Sequence, residues 1–193
     1  MQSFITLYTA CGDEKWLLFA KKLMLDVIEN FYDEMDGLFY FNSKLDMPLI
    51  ARQKEVQDNV IPSSNAILAH VLFELGIYFE QDIWIEMAKK MCSHFYHEIS
   101  TYGSAYACWA LLLLRFDEPV LQIAIPKKHY MTSFKSIHHL HQINLFPYCM
   151  HLEATLPFIE DKKNNENFYV CADKVCGLPL NNQNELITAL ESL

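Results

Sequence analysis

The sequence has few of the features that mark nucleic-acid-binding and membrane proteins. Lysine and arginine together number 15, against 24 aspartate and glutamate residues, which gives a formal net charge of −9. No basic patch with interleaved aromatic residues occurs, which argues against a nucleic-acid interface. The longest apolar run, Ala105–Leu114, is much shorter than the roughly 20 residues of a membrane-spanning helix. We therefore expect neither nucleic acid nor a membrane as a partner.

Signals for export and for dithiol chemistry are also missing. Met1–Cys11 lacks the basic start of a signal peptide, and no Cys-x-x-Cys pair occurs among the six cysteines. Cys92 and Cys108 lie in apolar helical patterns, so we interpret them as reduced core residues of a cytoplasmic protein. The spacing of Cys171 and Cys176 leaves open a disulfide, half of a metal site or a structural turn.

Histidine is present, but its pattern does not predict a metal centre. His138 and His141 have the spacing of two ligands on one helix face, yet no nearby carboxylate completes the set. A solvated helix face is the favoured interpretation. We therefore expect no metal and no cofactor.

Apolar residues make up 52% of the 193 residues, enough for one domain or one domain with a small appendage. A short helix is expected to end at Gly12, and a domain that opens on so short a helix is expected to be a fragment. Periodic apolar positions then predict helices over about Glu14–Phe31, Pro62–Leu75, Asp82–Ile99 and Ser104–Leu114.

A short internal repeat relates two of these helices. The pattern Trp-x-x-x-Ala-Lys-Lys begins at Trp16 and again at Trp84. Amphipathic helices alternate with helices that are apolar on most faces, as in stacked helical hairpins. The repeat therefore favours an all-α first part.

The composition changes after about residue 117. The later segments predict strands over Val120–Ile125, Ile143–Cys149 and Phe168–Cys171. Lys128–His141 is interpreted as a helix or an irregular segment, and Asn184–Leu193 as a terminal helix. The tail therefore has the pattern of a small α/β element.

The most distinctive polar stretch is Lys54–Asn65, which runs directly into the apolar segment Ala66–Leu75. Pro62 suits the first position of a helix, and the free N–H groups there can hold an anion or an oxygen-rich ligand. Glu55 and Asp58 are the candidates for acid/base chemistry. The residues predicted to contact a ligand are Arg52, Lys54, Asp58, Asn59, Ser63, Asn65, Tyr40 and Tyr102.

A structural alternative exists for the same stretch. Asp58 and Ser63 would cap the helix, and Lys54 would form an ion pair with Asp58. Glu55 and Asp58 are also close in sequence, which makes them poor candidates for opposite faces of one sugar ring.

Three groups of residues resemble a known family. They are Gly12–Trp16 with Glu29–Glu34 and Gly37–Phe41, then Lys54–Asn65, then Tyr169–Leu180. In this order they resemble the C-terminal part of the YyaL/spermatogenesis-associated protein 20 family. Members of that family are thioredoxin-domain-containing proteins whose C-terminal region is an α/α-toroid.

The resemblance implies a mainly α fold. Residues 1–117 would form helical hairpins of a partial α/α-toroid, and residues 118–193 would form a small C-terminal α/β element. By analogy with six-hairpin glycosidases, it implies binding or processing of a carbohydrate, with a sugar or sugar-like ligand. The alternative is a non-catalytic scaffold or binding module for the family's thioredoxin-like domain. Self-association is a further expectation, because an open toroid would expose apolar surface.

Overall fold

The computed structural model describes residues 1–47, 51–139, 148–163 and 166–192. Its helices are α1 (Gln2–Cys11), α2 (Lys15–Phe31), α3 (Ser64–Tyr78), α4 (Asp82–Ser93), α5 (Tyr96–Thr101), α6 (Ala107–Asp117), α7 (Tyr130–His139) and α8 (Gln183–Glu191). Its strands are β1 (Leu121–Ile125), β2 (Tyr148–His151), β3 (Tyr169–Ala172) and β4 (Val175–Cys176). The predicted combination of a mainly helical fold and a small α/β element is confirmed, while the toroid stays a prediction.

The described chain forms two compact units. The first contains residues 1–2, 18–77 and 81–117 and is helical. The second contains residues 3–17, 78–80 and 118–193 and holds the sheet. The α1 segment therefore belongs to the same compact unit as the C-terminal sheet, although it lies at the opposite end of the sequence.

In the first unit, α3 begins two residues later than the sequence predicts. Ser63 is the N-cap, because its Oγ accepts a hydrogen bond from the Ala66 N–H at 3.3 Å. Pro62 therefore lies outside the helix, and the prediction that it occupies the first helical position is wrong. The helix is apolar on nearly every face, with Ala69, Leu72 and Leu75 fully buried.

The predicted helix Asp82–Ile99 is divided into α4 and α5. The interruption lies at His94 and Phe95, where the Phe95 backbone has φ −117° and ψ 11°. Here His94 Nε2 lies 2.7 Å from the backbone carbonyl oxygen of Asp36. The Phe95 ring packs on Trp109 with centroids 4.6 Å apart. These long-range contacts outweigh the local helical preference, which is a weak determinant of structure.

The four strands form one mixed sheet in the order β2-β1-β3-β4. β1 pairs in parallel with β2 and antiparallel with β3, and β4 adds a short antiparallel edge. All five residues of β1 are buried, as expected for a central strand. One face packs on α7 and α8 through a core of Leu121, Ile123, Ile125, Tyr130, Ile137, Cys149, Phe168, Leu186 and Leu190.

The sequence located most of the tail. β1 and α8 lie within two residues of the predicted Val120–Ile125 and Asn184–Leu193, and β3 overlaps the predicted Phe168–Cys171. The predicted strand Ile143–Cys149 lies mostly outside the described residues, as does His141. The described helices include none with the length and apolar composition needed to cross a membrane.

The turn after α1 depends on a glycine. Gly12 has φ +72°, and its N–H donates to the Tyr8 carbonyl oxygen at 2.7 Å. This left-handed conformation ends the helix as the sequence predicts. A Cβ atom at Gly12 would lie 2.8 Å from Cε1 of Tyr130. The glycine is therefore required both by its backbone conformation and by close packing.

We expect Gly12→Ala to lower the free energy of unfolding by about 2–4 kcal/mol, because left-handed strain adds to overpacking against a buried ring. Gly103→Ala is the matched control, since a Cβ there meets nothing within 4 Å. Urea unfolding followed by circular dichroism gives both values. Equal stability of the two variants would contradict the packing described here.

Candidate functional site

Four side chains from the loops of the first unit gather around one lysine. Lys54 Nζ lies 2.7 Å from Asp33 Oδ2 and 2.5 Å from Asp36 Oδ2. It also lies 4.4 Å from the centroid of the Tyr40 ring, and the Arg52 guanidinium carbon lies 3.9 Å from the same centroid. These five residues, Asp33, Asp36, Tyr40, Arg52 and Lys54, are called the Lys54 cluster below.

The charges of the Lys54 cluster stabilise one another. The hydrogen bond from Lys54, supported by one from Tyr40, holds the pKa of Asp33 well below its usual range. Burial by itself would lower the pKa of Lys54, but its bonds to Asp33 and Asp36 outweigh burial and raise it. The bond to Asp33 likewise raises the pKa of Tyr40. At neutral pH Asp33 is therefore an ionised acceptor rather than a proton donor.

A tight turn after α2 presents the two carboxylates. The Asp33 N–H donates to the Leu38 carbonyl oxygen, and the Gly37 N–H donates to the Asp33 carbonyl oxygen, each at 2.8 Å. Gly37 has φ +80°, a conformation that residues with a side chain rarely adopt. Because the turn is closed in this way, Asp33 and Asp36 point to the same lysine.

The acid/base candidates lie in a second group, at the start of α3. Asp58 Oδ1 accepts from the Ser63 N–H at 2.8 Å, and its Oδ2 accepts from the Cys108 N–H at 2.7 Å. Glu55 Oε2 accepts from the Ser64 N–H at 3.1 Å. Both carboxylates therefore accept hydrogen bonds from backbone N–H groups. Two of these donors, the N–H groups of Ser63 and Ser64, lie at the start of α3. A catalytic role for Glu55 or Asp58 stays a prediction.

Asn65 is the buried centre of this second group. Its Oδ1 accepts from the Phe39 N–H at 2.7 Å. Its Nδ2 donates to the carbonyl oxygens of Phe39 and Glu55 at 2.8 and 2.9 Å. The residue is completely buried. Its amide is the partner of both backbone groups of Phe39, and it adds a bond to the Glu55 carbonyl oxygen, which also accepts the Asn65 N–H at 3.4 Å.

The structural alternative for Lys54–Asn65 is correct in its caps and wrong in its ion pair. Asp58 and Ser63 do organise the helix start, but Lys54 pairs with Asp33 and Asp36 instead of Asp58. Asn59 and Tyr102 are exposed. Within the part of the chain that the structure describes, their side chains bond to neither group. Any ligand contact by these residues stays a prediction.

Sequence reasoning did not select Asp33 and Asp36 as site residues. Asp33 belongs to the Glu29–Glu34 motif, but nothing local indicates that it meets Lys54, which is 21 positions away. The pairing depends on a loop closure that brings distant residues together. An excess of acidic residues near a single lysine was the only available signal.

The second unit contains a cavity that the sequence did not predict. It encloses about 470 Å³, and its lining includes Cys11, Asp13, Tyr130 and His151. His151 Nε2 lies 2.9 Å from the Gly12 carbonyl oxygen, whereas its buried Nδ1 has no hydrogen-bond partner among the described residues. Tyr130 is also buried, and burial raises its pKa. The volume suits a small molecule.

Metal binding finds no support in either unit. Across residues 1–47, 51–139, 148–163 and 166–192, no three His, Cys, Asp or Glu side chains are grouped so as to hold an ion. The Lys54 cluster is moreover a pair of carboxylates neutralised by a lysine, and a lysine competes with a cation for the same oxygens.

We expect Asn65→Ala to lower the free energy of unfolding by about 2–4 kcal/mol, because it removes the side-chain partner of both buried backbone groups of Phe39. Ser64→Ala is the control, since Ser64 contributes its backbone N–H to the helix start and keeps it in the variant. Chemical unfolding provides the comparison. A cost for Asn65→Ala no greater than that for Ser64→Ala would refute the proposed structural role.

We expect Lys54→Met to raise the pKa of Asp33 toward its ordinary value, measured by NMR titration of the side-chain carboxyl. The pKa of Asp33 is depressed in the folded state, so its contribution to stability is full above the ordinary carboxyl range, near pH 4. That contribution is lost as the pH falls through the folded-state pKa. The stability difference between the two proteins should therefore shrink in acid, and a pH-independent difference would argue against the ion pair.

Comparison with known proteins gives a distant match. No family model matches the chain. The sequence is 22% identical over 200 residues to human spermatogenesis-associated protein 20, a match that covers 96% of this chain. The chain spans about 25% of the length of that relative. Over nearly its whole length, this chain is thus distantly similar to part of spermatogenesis-associated protein 20.

Proposed function

We propose that this chain is a non-catalytic module of a protein similar to spermatogenesis-associated protein 20, and that it serves the thioredoxin-like domain which the resemblance implies. The similarity supports the first part, since it covers 96% of this chain but only 25% of the relative. A chain that matches one region of a larger protein works with the remaining regions. The mainly helical fold with a small α/β element is compatible with that origin.

The observation that carries the non-catalytic assignment is the bonding of Asp58. Both of its oxygens accept backbone N–H groups, from Ser63 and Cys108, at 2.8 and 2.7 Å. A general acid or base needs an oxygen directed at its substrate. Glu55 accepts the Ser64 N–H through one oxygen only, and Asp33 is held ionised by Lys54. The carboxylates near the predicted site thus stabilise the loop through hydrogen bonds and an ion pair.

We expect the chain to bind the isolated thioredoxin-like domain of the human relative with a dissociation constant in the micromolar range, typical of contacts between domains of one protein. Isothermal titration calorimetry measures the binding, with an unrelated thioredoxin as the control domain. Sedimentation of the chain alone detects self-association. Absence of binding, or equal binding of both domains, would reject the scaffold proposal.

A second candidate function is the binding of a sugar-like ligand at the Lys54 cluster. The specific observation in its favour is the convergence of a tyrosine, two cations and two carboxylates on one loop surface. Fixed polar groups beside an aromatic ring suit a ligand rich in hydroxyl groups. Arg52 and Lys54 cover a face of Tyr40, so the ligand would meet the cations first.

This candidate predicts that a sugar or sugar phosphate raises the melting temperature of the chain, and that Arg52→Met abolishes the shift. Lys89→Met is the control, because Lys89 is an exposed residue of α4 paired with Glu86. A thermal-shift screen gives the measurement. A shift in melting temperature that persists in Arg52→Met would place the ligand elsewhere. If no sugar shifts the melting temperature, this candidate function is rejected.

A further inference from the structure

The hairpin of β3 and β4 is closed by a disulfide between Cys171 and Cys176. The spacing left open a disulfide, half of a metal site or a structural turn, and the structure shows the disulfide. The two cysteines differ in their surroundings, because Cys171 is completely buried and Cys176 is exposed. The neighbouring side chains of Val175 and Leu178 are 76% and 86% exposed. The core therefore covers only one end of the bond.

The turn of this hairpin is held in a demanding conformation. Asp173 and Lys174 have φ values of 47° and 68°, in the left-handed region. Two-residue hairpin turns of this kind favour asparagine and glycine, so a lysine there is strained. β4 consists of two exposed residues and buries little apolar surface of its own. The disulfide thus adds a covalent constraint to the short backbone pairing that keeps β4 against β3.

Three of the four other cysteines have a contrasting environment, whereas the fourth, Cys11, is an exposed free thiol. Burial raises the pKa of Cys92 and of Cys108 to about 11, and that of Cys149 to about 12. Such thiols stay protonated and unreactive near neutral pH. The chain therefore protects three thiols by burial while it leaves the disulfide at Cys176 open to solvent.

We propose that the Cys171–Cys176 bond is a reversible redox site, which a dithiol reductant opens by attack on the exposed sulfur of Cys176. Attack on a disulfide follows the axis of the S–S bond, from the side opposite the leaving sulfur. Because Cys171 lies inside and Cys176 outside, the open approach is toward Cys176. The proposal does not depend on the function proposed above, since any dithiol of suitable potential would serve.

The exchange is balanced in two steps. A thiolate of the reductant forms a bond to the Cys176 sulfur, and Cys171 leaves with the electron pair and takes up a proton. The second thiol of the reductant then attacks the mixed disulfide and releases Cys176 as a thiolate, which is also protonated. The net transfer is two electrons and two protons from the dithiol, which becomes a disulfide.

The structural consequence of opening is local. β3 stays paired with β1 through its own backbone bonds. Beyond the hairpin, Phe168 and Leu180 exchange backbone hydrogen bonds at 2.8 and 2.9 Å. Asp173 is also held, because its N–H donates to the Val120 carbonyl oxygen at 3.0 Å, so residues 174–179 lie between the held part of the hairpin and Leu180. Reduction should therefore speed hydrogen exchange of the Gly177 N–H, which donates to the Val170 carbonyl oxygen at 3.0 Å, without unfolding the sheet.

The first test uses the unmodified chain. Dithiothreitol is added to the native protein and to the protein in concentrated urea, and free thiols are trapped with N-ethylmaleimide and located by mass spectrometry. We expect the bond in the native protein to be reduced within about tenfold of the rate in urea, because exposure controls access to a disulfide. Protection of about a hundredfold or more would identify a structural bond and overturn the proposal.

The second test asks which sulfur is open to attack. Cys171→Ser leaves Cys176 free, and Cys176→Ser leaves Cys171 free, so both variants lack the same bond. Each is exposed to oxidised glutathione, and peptide mapping compares the modification with that of exposed Cys11 and buried Cys149 in the same molecule. We expect Cys176 to react at about the rate of Cys11, and Cys171 at about the slower rate of Cys149. Equal rates for Cys171 and Cys176 would contradict the assignment.

Discussion

The first unit depends on one buried amide. Asn65 binds both backbone groups of Phe39 and the carbonyl oxygen of Glu55, and so connects two parts of an irregular loop to the first turn of α3. A loop that passes over an apolar helix must satisfy its own backbone groups, because water does not reach them. One side chain with two donors and an acceptor meets that requirement. Phe39 follows the turn that carries Asp33 and Asp36, and Glu55 follows Lys54, so this amide joins the two segments that form the Lys54 cluster.

The use of polar side chains to satisfy backbone groups also explains why this stretch resembles a catalytic site. Carboxylates beside free N–H groups at a helix start are the expected pattern for an anion site, for a catalytic pair and for structural capping. Asp58 separates these alternatives, since its two oxygens are bonded to backbone donors of different segments. Asp58 therefore joins the loop to the starts of α3 and α6. Catalysis by Asp58 and binding of a partner both stay predictions.

The cysteines differ in how far they are exposed to solvent. Cys92 and Cys149 are covered by core side chains, where burial keeps a thiol protonated and inert. Cys176 lies instead on an edge strand of two residues, beyond a strained turn. Exposed disulfides in reducing compartments are usually transient and serve redox sensing. The cytoplasmic location inferred from the sequence stays a prediction.

The sequence by itself determined the elements whose signal is local. The period of apolar residues located α2 and α3, the mostly apolar segment Val120–Ile125 located β1, and Gly12 marked the end of α1, because each depends on neighbours within a few positions. The tertiary structure decided the interruption between α4 and α5, through contacts of His94 and Phe95 with distant residues. It also decided the partners of Lys54. Ion pairs and ring contacts between remote segments depend on how the loops close in space, and residue spacing along the chain does not encode that closure.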